Sequence, residues 1–369
     1  DTVMRKALGS YGGFARTPNL DLFAGEASRF EQLYQPANMC QPSRVTWMTG
    51  CLPSTSQVYA NGFGNNARKN LTLLKALSEN GYRGGYLGLF HCWEGADRDG
   101  MDAWSWVDWI HDFLEGQQDW RPSAEQAESW KKQAAKLGIF QPEHHLQDFR
   151  QHAGYTDFPI EKHPAVRIAD RALECIADMK SGTPHFLWTS FWMPHEPWAP
   201  PKKFWELYEN AHLPLPDSWR DDLKSRPEHH RHLQNGDYFR QLGPNPEQGL
   251  LRVWRAYAGC MSLVDEQCGR ILDDLKKRNL YDDSIVIFLT DHGTAHGAHG
   301  WLYKGGSYSI EEISRVPCLV KMPGQKEAKV ISDIVSSADL FPTLMEYLGI
   351  GHDPVDGKSW ADVLSGKPR

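Results

Sequence analysis

The feature that most constrains the fold of this chain is an alternation of strand-like and helix-like segments. Residues 284–289 (SIVIFL) form an uninterrupted apolar run, which is typical of a strand buried on both faces. Residues 185–193 (HFLWTSFWM) predict a second buried strand, and residues 85–88 and 318–322 predict two shorter ones. Apolar residues at helical spacing predict helices over 71–80, 166–179, 251–277 and 338–348. This alternation indicates an α/β fold in which helices cover a large mixed, mostly parallel sheet.

Two further segments bear on the organisation of the fold. Thr17 followed by Pro18 is typical of a helix N-terminus, and we expect a helix from there to about residue 30. Residues 100–154 are rich in Trp, Gln, His and Asp, and we interpret them as an insertion. The tryptophans in this stretch are Trp104, Trp106, Trp109, Trp120 and Trp130. They fit either interior packing or a surface that stacks on a ligand ring.

Composition excludes several classes of protein. The 369 residues are 40% hydrophobic and 24% charged, so the chain can bury the core of one large or two ordinary domains. No apolar run is long enough to span a bilayer. The 40 basic and 47 acidic residues give a net charge of −7, and without a long basic run nothing indicates nucleic-acid binding. Seven cysteines without zinc-like spacing support neither a disulfide framework nor a zinc site.

The most distinctive chemical motif is the segment CQPSR at residues 40–44, followed by Thr49-Gly50. By itself, it fits either a buried structural cysteine before a helix or a chemically special one. A helix through the segment places Arg44 one turn from Cys40, so both side chains can point at the same site. Asp291 and His292 directly follow the strand at 284–289, at the sheet edge where open α/β folds place their sites.

Several ordered motifs resemble those of the formylglycine-dependent sulfatases of the alkaline phosphatase superfamily. The segment at 40–44 resembles their signature, Cys-x-Pro-Ser-Arg. Further matches are LGSYG at 8–12, TPNLD at 17–21, MPHEP at 193–197, LTDHG at 289–293, RVP at 315–317 and DLFPTL at 339–344. The resemblance covers essentially the whole chain and implies an alkaline-phosphatase-like α/β fold. It also implies that residues 1–369 are a sulfatase catalytic domain whose first strand and C-terminal antiparallel subdomain are missing or cut off.

The resemblance implies a role for each candidate catalytic residue. In the family, a separate formylglycine-generating enzyme oxidises the cysteine to an aldehyde, so Cys40 is the predicted nucleophile. One hydroxyl of the aldehyde hydrate attacks sulfur, and the other then loses its proton so that sulfate leaves. Arg44 would hold the alkoxide or the sulfate oxygens. His195 and Lys304 would bind or protonate the leaving oxygen, and His91 would act as the base that collapses the sulfated hydrate.

The resemblance also implies one divalent cation, taken to be Ca²⁺, which prefers hard oxygen ligands. The predicted ligands are Asp1, Asp291, His292 and the modified Cys40. The family often carries two consecutive acids at its first position, whereas Thr2 follows Asp1 here. We therefore expect a site with one fewer negative charge.

One departure from the family pattern keeps alternatives open. Leu89 stands where the family has the lysine of its Gly-Lys-x-His element, so a cation that normally touches nucleophile and sulfate is missing. The favoured function is hydrolysis of a sulfate ester, with a carbohydrate as the alcohol because the Trp-rich insertion suits stacking on sugar rings. The missing lysine and the segment IADR at 168–171 leave open a phosphonate monoester or phosphodiester hydrolase, and a non-catalytic binding protein is the third alternative. The resemblance favours a periplasmic or secreted location over the cytoplasm.

Overall fold

A computed structural model describes most of the chain. The described residues are 1–62, 71–92, 107–108, 153–157, 159–196, 198–221, 223–228, 242, 244–305 and 309–367. The insertion predicted at 100–154 lies almost entirely outside these residues, and so do all five of its tryptophans.

Helices and strands alternate along the described chain. The helices are α1 (Pro18–Ala24), α2 (Cys40–Thr49), α3 (Pro53–Ser56), α4 (Leu73–Glu79), α5 (Pro164–Ala177), α6 (Lys202–Glu206), α7 (Pro246–Lys277), α8 (Glu311–Ser314), α9 (Leu340–Leu348) and α10 (Ala361–Leu364). The strands are β1 (Ser28–Tyr34), β2 (Arg83–Gly88), β3 (Val107–Asp108), β4 (His185–Ser190), β5 (Val286–Leu289), β6 (Arg315–Val316), β7 (Cys318–Lys321) and β8 (Lys329–Ser336). Every helix and strand that the apolar patterns predicted is present, and α7 begins five residues earlier than expected.

The strands form two sheets. In the larger sheet the order is β5-β7-β1-β6, and β8 also pairs with β1. β1 runs parallel to β8 but antiparallel to β6 and β7, and β5 runs antiparallel to β7. In the smaller sheet β2 pairs in parallel with β3 and β4. The α/β class is confirmed. Among the described strands, three pairings are parallel and three antiparallel, so the structure is mixed without the parallel majority that the alternation predicted.

The segment after α1 differs from the prediction. The helix expected to reach about residue 30 ends at Ala24, and the following residues form β1. Phe30 and Leu33 are fully buried in β1, where they pack with residues of β7 and β8. Pairing with strands almost three hundred residues away therefore outweighs the local helical signal.

Helix α2 lies at the centre of the packing that positions the site. Each of its ten residues is buried, and Gly50 ends the helix in the left-handed conformation with φ 68°. Val45 and Met48 pack against apolar residues of α4 and α9, and Trp47 packs against the larger sheet. The first residue of α2, Cys40, is consequently held in a fixed position. Across the described residues, no helix is both long and apolar enough to cross a membrane.

Candidate active site

Three segments meet at the carboxyl ends of the strands. β5 ends at Leu289, and Asp291 and His292 follow it immediately. The backbone nitrogen of Thr2 donates to Asp291 Oδ1 at 3.1 Å, and the backbone nitrogen of Asp1 donates to the carbonyl oxygen of Phe191, just past β4, at 2.9 Å. The first residues of the chain therefore lie against the ends of two strands that belong to different sheets.

Four side chains from these segments and from α2 converge. Asp1, Cys40, Asp291 and His292 each offer one potential ligand atom, and these atoms lie within 4.8 Å of one another in a buried position. His292 Nε2 is 3.2 Å from Cys40 Sγ and 3.8 Å from Asp1 Oδ1. The Nδ1 atom of the same ring lies 2.9 Å from the carbonyl oxygen of Gly293, which orients the ring. All four residues that the sequence predicted as ligands thus share one cluster.

Arg44 holds the two carboxylates of this cluster. Its Nε donates to Asp291 Oδ2 at 2.9 Å, and its Nη2 donates to Asp1 Oδ2 at 3.1 Å. The guanidinium is buried, with only 2% of the side chain exposed. Its Nη1 donates to further acceptors: Leu89 O at 2.7 Å, Ser190 Oγ at 3.0 Å and Tyr86 Oη at 3.2 Å. Most of the donors of Arg44 are therefore committed to protein groups.

Electrostatics favour the ionised forms of two groups in the cluster. Burial raises the pKa of the Cys40 thiol, but the charge on Lys304 and the imidazole of His292 outweigh it, and the pKa lies below the ordinary value. Burial also acts to raise the pKa of Asp291, yet His292 and Arg44 hold it well below the usual range of a carboxyl. The electrostatics therefore shift both the thiol and the carboxyl towards their ionised forms, which are the forms that bind a cation.

A second group of charged side chains lies beside the cluster. Lys304 Nζ donates to Thr2 Oγ1 at 3.2 Å and lies 3.7 Å from Asp1 Oδ1. It also lies 3.9 Å from Glu196 Oε2, and that carboxylate is 3.3 Å from His195 Nδ1. The candidate residues His195 and Lys304 are therefore joined through Glu196, which the sequence analysis did not select.

The segment that departs from the family pattern lies along α2. The Leu89 side chain is buried, and its carbonyl oxygen accepts the hydrogen bond from Arg44 described above. Gln41 Nε2 donates to the carbonyl oxygen of Cys92 at 3.1 Å, which fixes the end of the segment. His91 lies between these two anchors with φ 47°, in the left-handed region. Its predicted role as a base stays a prediction.

The sequence analysis did not select Ser43 and Gln35, because their importance depends on contacts with residues that are distant in sequence. Ser43 Oγ lies 2.8 Å from Gln35 Oε1 and also within hydrogen-bonding distance of the carbonyl oxygen of Asp291, so its single hydroxyl hydrogen serves both acceptors. Gln35 Nε2 in turn donates to the carbonyl oxygen of Thr290 at 2.7 Å. Ser43 belongs to the CQPSR segment, so the motif could have identified it as a residue of the site. Nothing in the sequence around Gln35 marks it.

The fold agrees with that of two proteins of known structure. The phosphonate monoester hydrolase of Agrobacterium radiobacter superposes with a TM-score of 0.75 at 21% identity, covering 100% of this chain and 76% of that one. A protein solved in complex with its substrate D-glucosamine-2-N,6-O-disulfate superposes with a TM-score of 0.72 at 21% identity, covering 100% of this chain and 79% of the other. The structure is therefore an alkaline-phosphatase-like α/β fold.

Sequence comparison identifies the family. The Sulfatase family model matches residues 1–350, so the chain belongs to the sulfatase family of sulfuric ester hydrolases. The arylsulfatase of Clostridium perfringens (strain 13 / Type A) is 26% identical over 392 residues, which cover 99% of this chain. The chain spans 76% of that relative and 65% of a second sulfatase, from Escherichia coli (strain K12).

Proposed function

We propose that this chain hydrolyses a sulfate ester of a carbohydrate through a formylglycine formed from Cys40. The observation that carries the proposal is the position of the Cys40 thiol, which lies in a buried cluster with two carboxylates and an imidazole and beside the charged Lys304. Oxidation of the thiol by a formylglycine-generating enzyme would supply an aldehyde, whose hydrate offers a hydroxyl group as the nucleophile. A buried thiol with no such neighbours would favour a purely structural cysteine.

The donor set of the cluster fits a divalent cation. Asp1 Oδ1 lies near both Cys40 and His292, while Arg44 binds the other oxygen of the same carboxylate. Asp1, Asp291, His292 and residue 40 would hold the cation, and when bound it would make an oxygen at residue 40 more nucleophilic. Carboxylate oxygens suit Ca²⁺, the ion that the family resemblance implies, whereas the imidazole nitrogen also suits a transition metal.

For Arg44 we propose a second role beside the predicted one of holding the alkoxide or the sulfate oxygens. Its bonds to Asp1 and Asp291 support a role in fixing and neutralising the two carboxylates, so that both face residue 40. A planar guanidinium suits this task because its donors lie in a rigid fork that matches two carboxylate acceptors.

Lys304 and His195 are the proposed partners of the leaving oxygen of the ester. Lys304 has 12% of its side chain exposed and lies next to the cluster through Asp1 and Thr2. His195 has 10% of its side chain exposed and lies on the far side of Glu196. Both side chains therefore keep some exposed surface that a bound ester could contact. His91 remains the candidate base that would remove a proton from residue 40 after the sulfuryl group has been transferred.

The carbohydrate part of the proposal has two supports. A protein of the same fold was solved with the sulfated sugar D-glucosamine-2-N,6-O-disulfate as its substrate. The Trp-rich insertion at 100–154 also has the composition of a surface that stacks on sugar rings.

We propose a periplasmic or secreted location on the family resemblance.

Leu89 supports a second candidate function. Leu89 is buried and stands where the family has a lysine, so the segment after β2 offers one cation fewer to bind a sulfate oxygen. A phosphonate monoester or a phosphodiester, which also carries a single negative charge, would then compete as the substrate.

A substrate panel separates these candidates. The protein, co-expressed with a formylglycine-generating enzyme, would be assayed with a sulfated monosaccharide, an aryl sulfate, a phosphodiester and a phosphonate monoester. We expect the highest kcat/KM with the sulfate esters and loss of all turnover in Cys40→Ala, while Cys268→Ala on α7 retains it. Preference for the phosphonate or the diester would favour the second candidate, and turnover that survives in Cys40→Ala would refute both.

A further inference from the structure

The loop at 294–303 leads directly into Lys304, and His296 lies in the first of its two arms. A backbone hydrogen bond from His296 to the carbonyl oxygen of Leu302, at 3.2 Å, joins the arms. The His296 side chain is fully buried, and its φ of 44° lies in the left-handed region, which is strained for a residue other than glycine. The ring takes no part in the chemistry proposed above and is therefore a candidate for another role.

Hydrogen bonding determines which nitrogen of the His296 ring carries hydrogen. Thr294 Oγ1 donates its single hydrogen to the carbonyl oxygen of Leu302 at 3.0 Å, and His296 Nδ1 lies 3.4 Å from the same Oγ1 atom. The hydroxyl can therefore only accept from the ring, so the hydrogen lies on Nδ1 and Nε2 carries a lone pair. Burial lowers the pKa of His296 to about 3, which keeps the ring neutral at pH 7. Nε2 is buried and has no hydrogen-bond partner among the residues that the structure describes.

Trp198, two residues after Glu196, offers the complementary group. Its side chain is 1% exposed, and its ring meets the His296 ring edge-on with centroids 4.9 Å apart. It also stacks on Tyr303 with centroids 5.6 Å apart and an angle of 16° between the planes. Its Nε1–H group is a donor that is likewise buried without a partner in the described part of the chain. A single side chain from the loop after β4 therefore packs on both arms of the 294–303 loop.

We propose that Trp198 and His296 bind one buried water between their ring nitrogens, and that this bridge positions Lys304 against Glu196. The indole N–H donates to the water, and the water donates to the lone pair of His296 Nε2, so both buried groups are satisfied. Such a bridge is enthalpically nearly as good as a direct hydrogen bond. It acts on Lys304 because that residue directly follows Tyr303, on which Trp198 stacks. The consequence for turnover rests on the proposed function, whereas the water site does not.

The arrangement of the two loops explains why this link should matter. Lys304 and Glu196 come from different loops, and their charged atoms lie 3.9 Å apart. His296 is also tied to helix α7, since its carbonyl oxygen accepts a hydrogen bond from Trp254 Nε1 at 2.7 Å. The bridge therefore fastens the loop after β4 to a loop that α7 already holds. Trp198 and His296 act through Lys304, and both are positioning residues.

A matched pair of tryptophan variants separates positioning from packing. Trp198 and Trp360 are both 1% exposed, but Trp360 packs on Phe30 in the core of the larger sheet. Trp198→Phe and Trp360→Phe should both lower the melting temperature. Only Trp198→Phe should lower kcat per folded molecule, by about 10-fold, with a smaller change in KM, because a small misplacement of a group that acts on substrate slows the reaction. An equal kcat in the two variants would overturn the positioning role.

A double-mutant cycle tests the bridge itself. Trp198→Phe removes the donor and His296→Leu removes the acceptor, so either substitution alone breaks the bridge. We therefore expect kcat of the double variant to match that of the more impaired single variant. His296→Asn, a residue that tolerates the left-handed region, takes the place of His296→Leu if the latter does not fold. Effects on kcat that multiply would show that the two side chains act independently and would overturn the bridge.

Two measurements on the unsubstituted protein are independent of turnover. Nitrogen-15 NMR of histidine-labelled protein, with His296→Asn to assign the signal, should show His296 as the neutral Nδ1–H tautomer between pH 6 and 8. A high-resolution crystal structure should show one water within about 3.2 Å of both His296 Nε2 and Trp198 Nε1. The Nε2–H tautomer, a direct bond between the two nitrogens or a dry contact would overturn the water site. A protein that holds the water but hydrolyses no sulfate ester would instead contradict the proposed function.

Discussion

The two cations of the site, Arg44 and Lys304, are held in different ways. Arg44 has 2% of its side chain exposed and bonds to two carboxylates at 2.9 and 3.1 Å. Lys304 has 12% exposed, and its ammonium lies 3.2 Å from a hydroxyl and 3.7 and 3.9 Å from two carboxylates. The guanidinium is committed to the protein, while the ammonium retains donors for a ligand. The structure thus separates a cation that builds the site from one that can act on substrate.

The largest expected difference between the two cations is in stability. Arg44→Met leaves the carboxylates of Asp1 and Asp291 buried without their partner and should lower the free energy of unfolding by about 3–5 kcal/mol. Lys304→Met should lower it by about 1 kcal/mol or less, because its contacts are long and partly solvated. Urea unfolding of both variants measures the difference. Equal losses would contradict the distinction between the two cations.

Asp291→Asn should abolish most of the activity while Asp170→Asn on the surface of α5 has no effect. The carboxylate is both a partner of Arg44 and a proposed metal ligand, and a bound cation contributes several kcal/mol, or about 10³-fold in rate. Turnover and metal content would be measured together on both variants. Full activity with full metal content in Asp291→Asn would remove this residue from the site.

Lowering the pH should remove the contributions of His195 and Asp291 to the free energy of unfolding in different pH ranges. His195 has its pKa lowered from 6.5 to about 3, so the unfolded chain binds a proton that the folded protein does not. The free energy of unfolding therefore contains the full His195 contribution above about pH 6.5. This contribution decreases by about 1.4 kcal/mol per pH unit as the pH falls towards 3. The depressed pKa of Asp291 has its effect only below about pH 5, where the carboxyl of the unfolded chain begins to bind a proton around its ordinary value of 3.8.

Unfolding free energies measured from pH 7.5 to 4 test this separation. His163 and His296 are shifted in the same way by burial, so the unsubstituted protein should lose stability steeply. His195→Gln should reduce the slope by one proton, whereas Asp291→Asn should leave the slope above about pH 5 unchanged. A slope that His195→Gln does not change would mean that the ring is protonated in the folded state.

The smallest expected effect concerns the hydrogen bonds that support residues 290–292, which include the proposed metal ligands Asp291 and His292. Ser43→Ala removes the hydrogen bonds to Gln35 and to the carbonyl oxygen of Asp291 and should cost about 1–2 kcal/mol. Thermal unfolding measures this loss, with Ser365→Ala near the end of α10 as an exposed control. A neutral result would mean that these hydrogen bonds of Ser43 do not stabilise the contact between α2 and the strand ends.

The sequence predicted residues with distinctive motifs better than residues that matter through long-range contacts. Cys40, Asp291 and His292 were predicted from a signature and from the end of an apolar strand, and they do meet. Glu196 was quoted only as part of a motif, because its link to Lys304 joins residues more than one hundred positions apart.

The strands of the fold were likewise predicted only where the local sequence has a distinctive pattern. β5, the most apolar run, was correctly predicted, whereas β1 and β8 were not. β1 follows a helix directly, and β8 leaves Val330 and Ile334 exposed, so neither shows a buried-strand pattern. Their pairing with each other, across three hundred residues, stabilises both strands.

The central claim is that Cys40 becomes the nucleophile, and a mass spectrum of the tryptic peptide of residues 30–44 tests it most directly. After co-expression with a formylglycine-generating enzyme, the peptide should carry an aldehyde in place of the thiol, and the extent of conversion should match the specific activity of each preparation. A quantitative unmodified thiol, together with sulfate ester turnover that is unaffected by Cys40→Ala, would contradict the account.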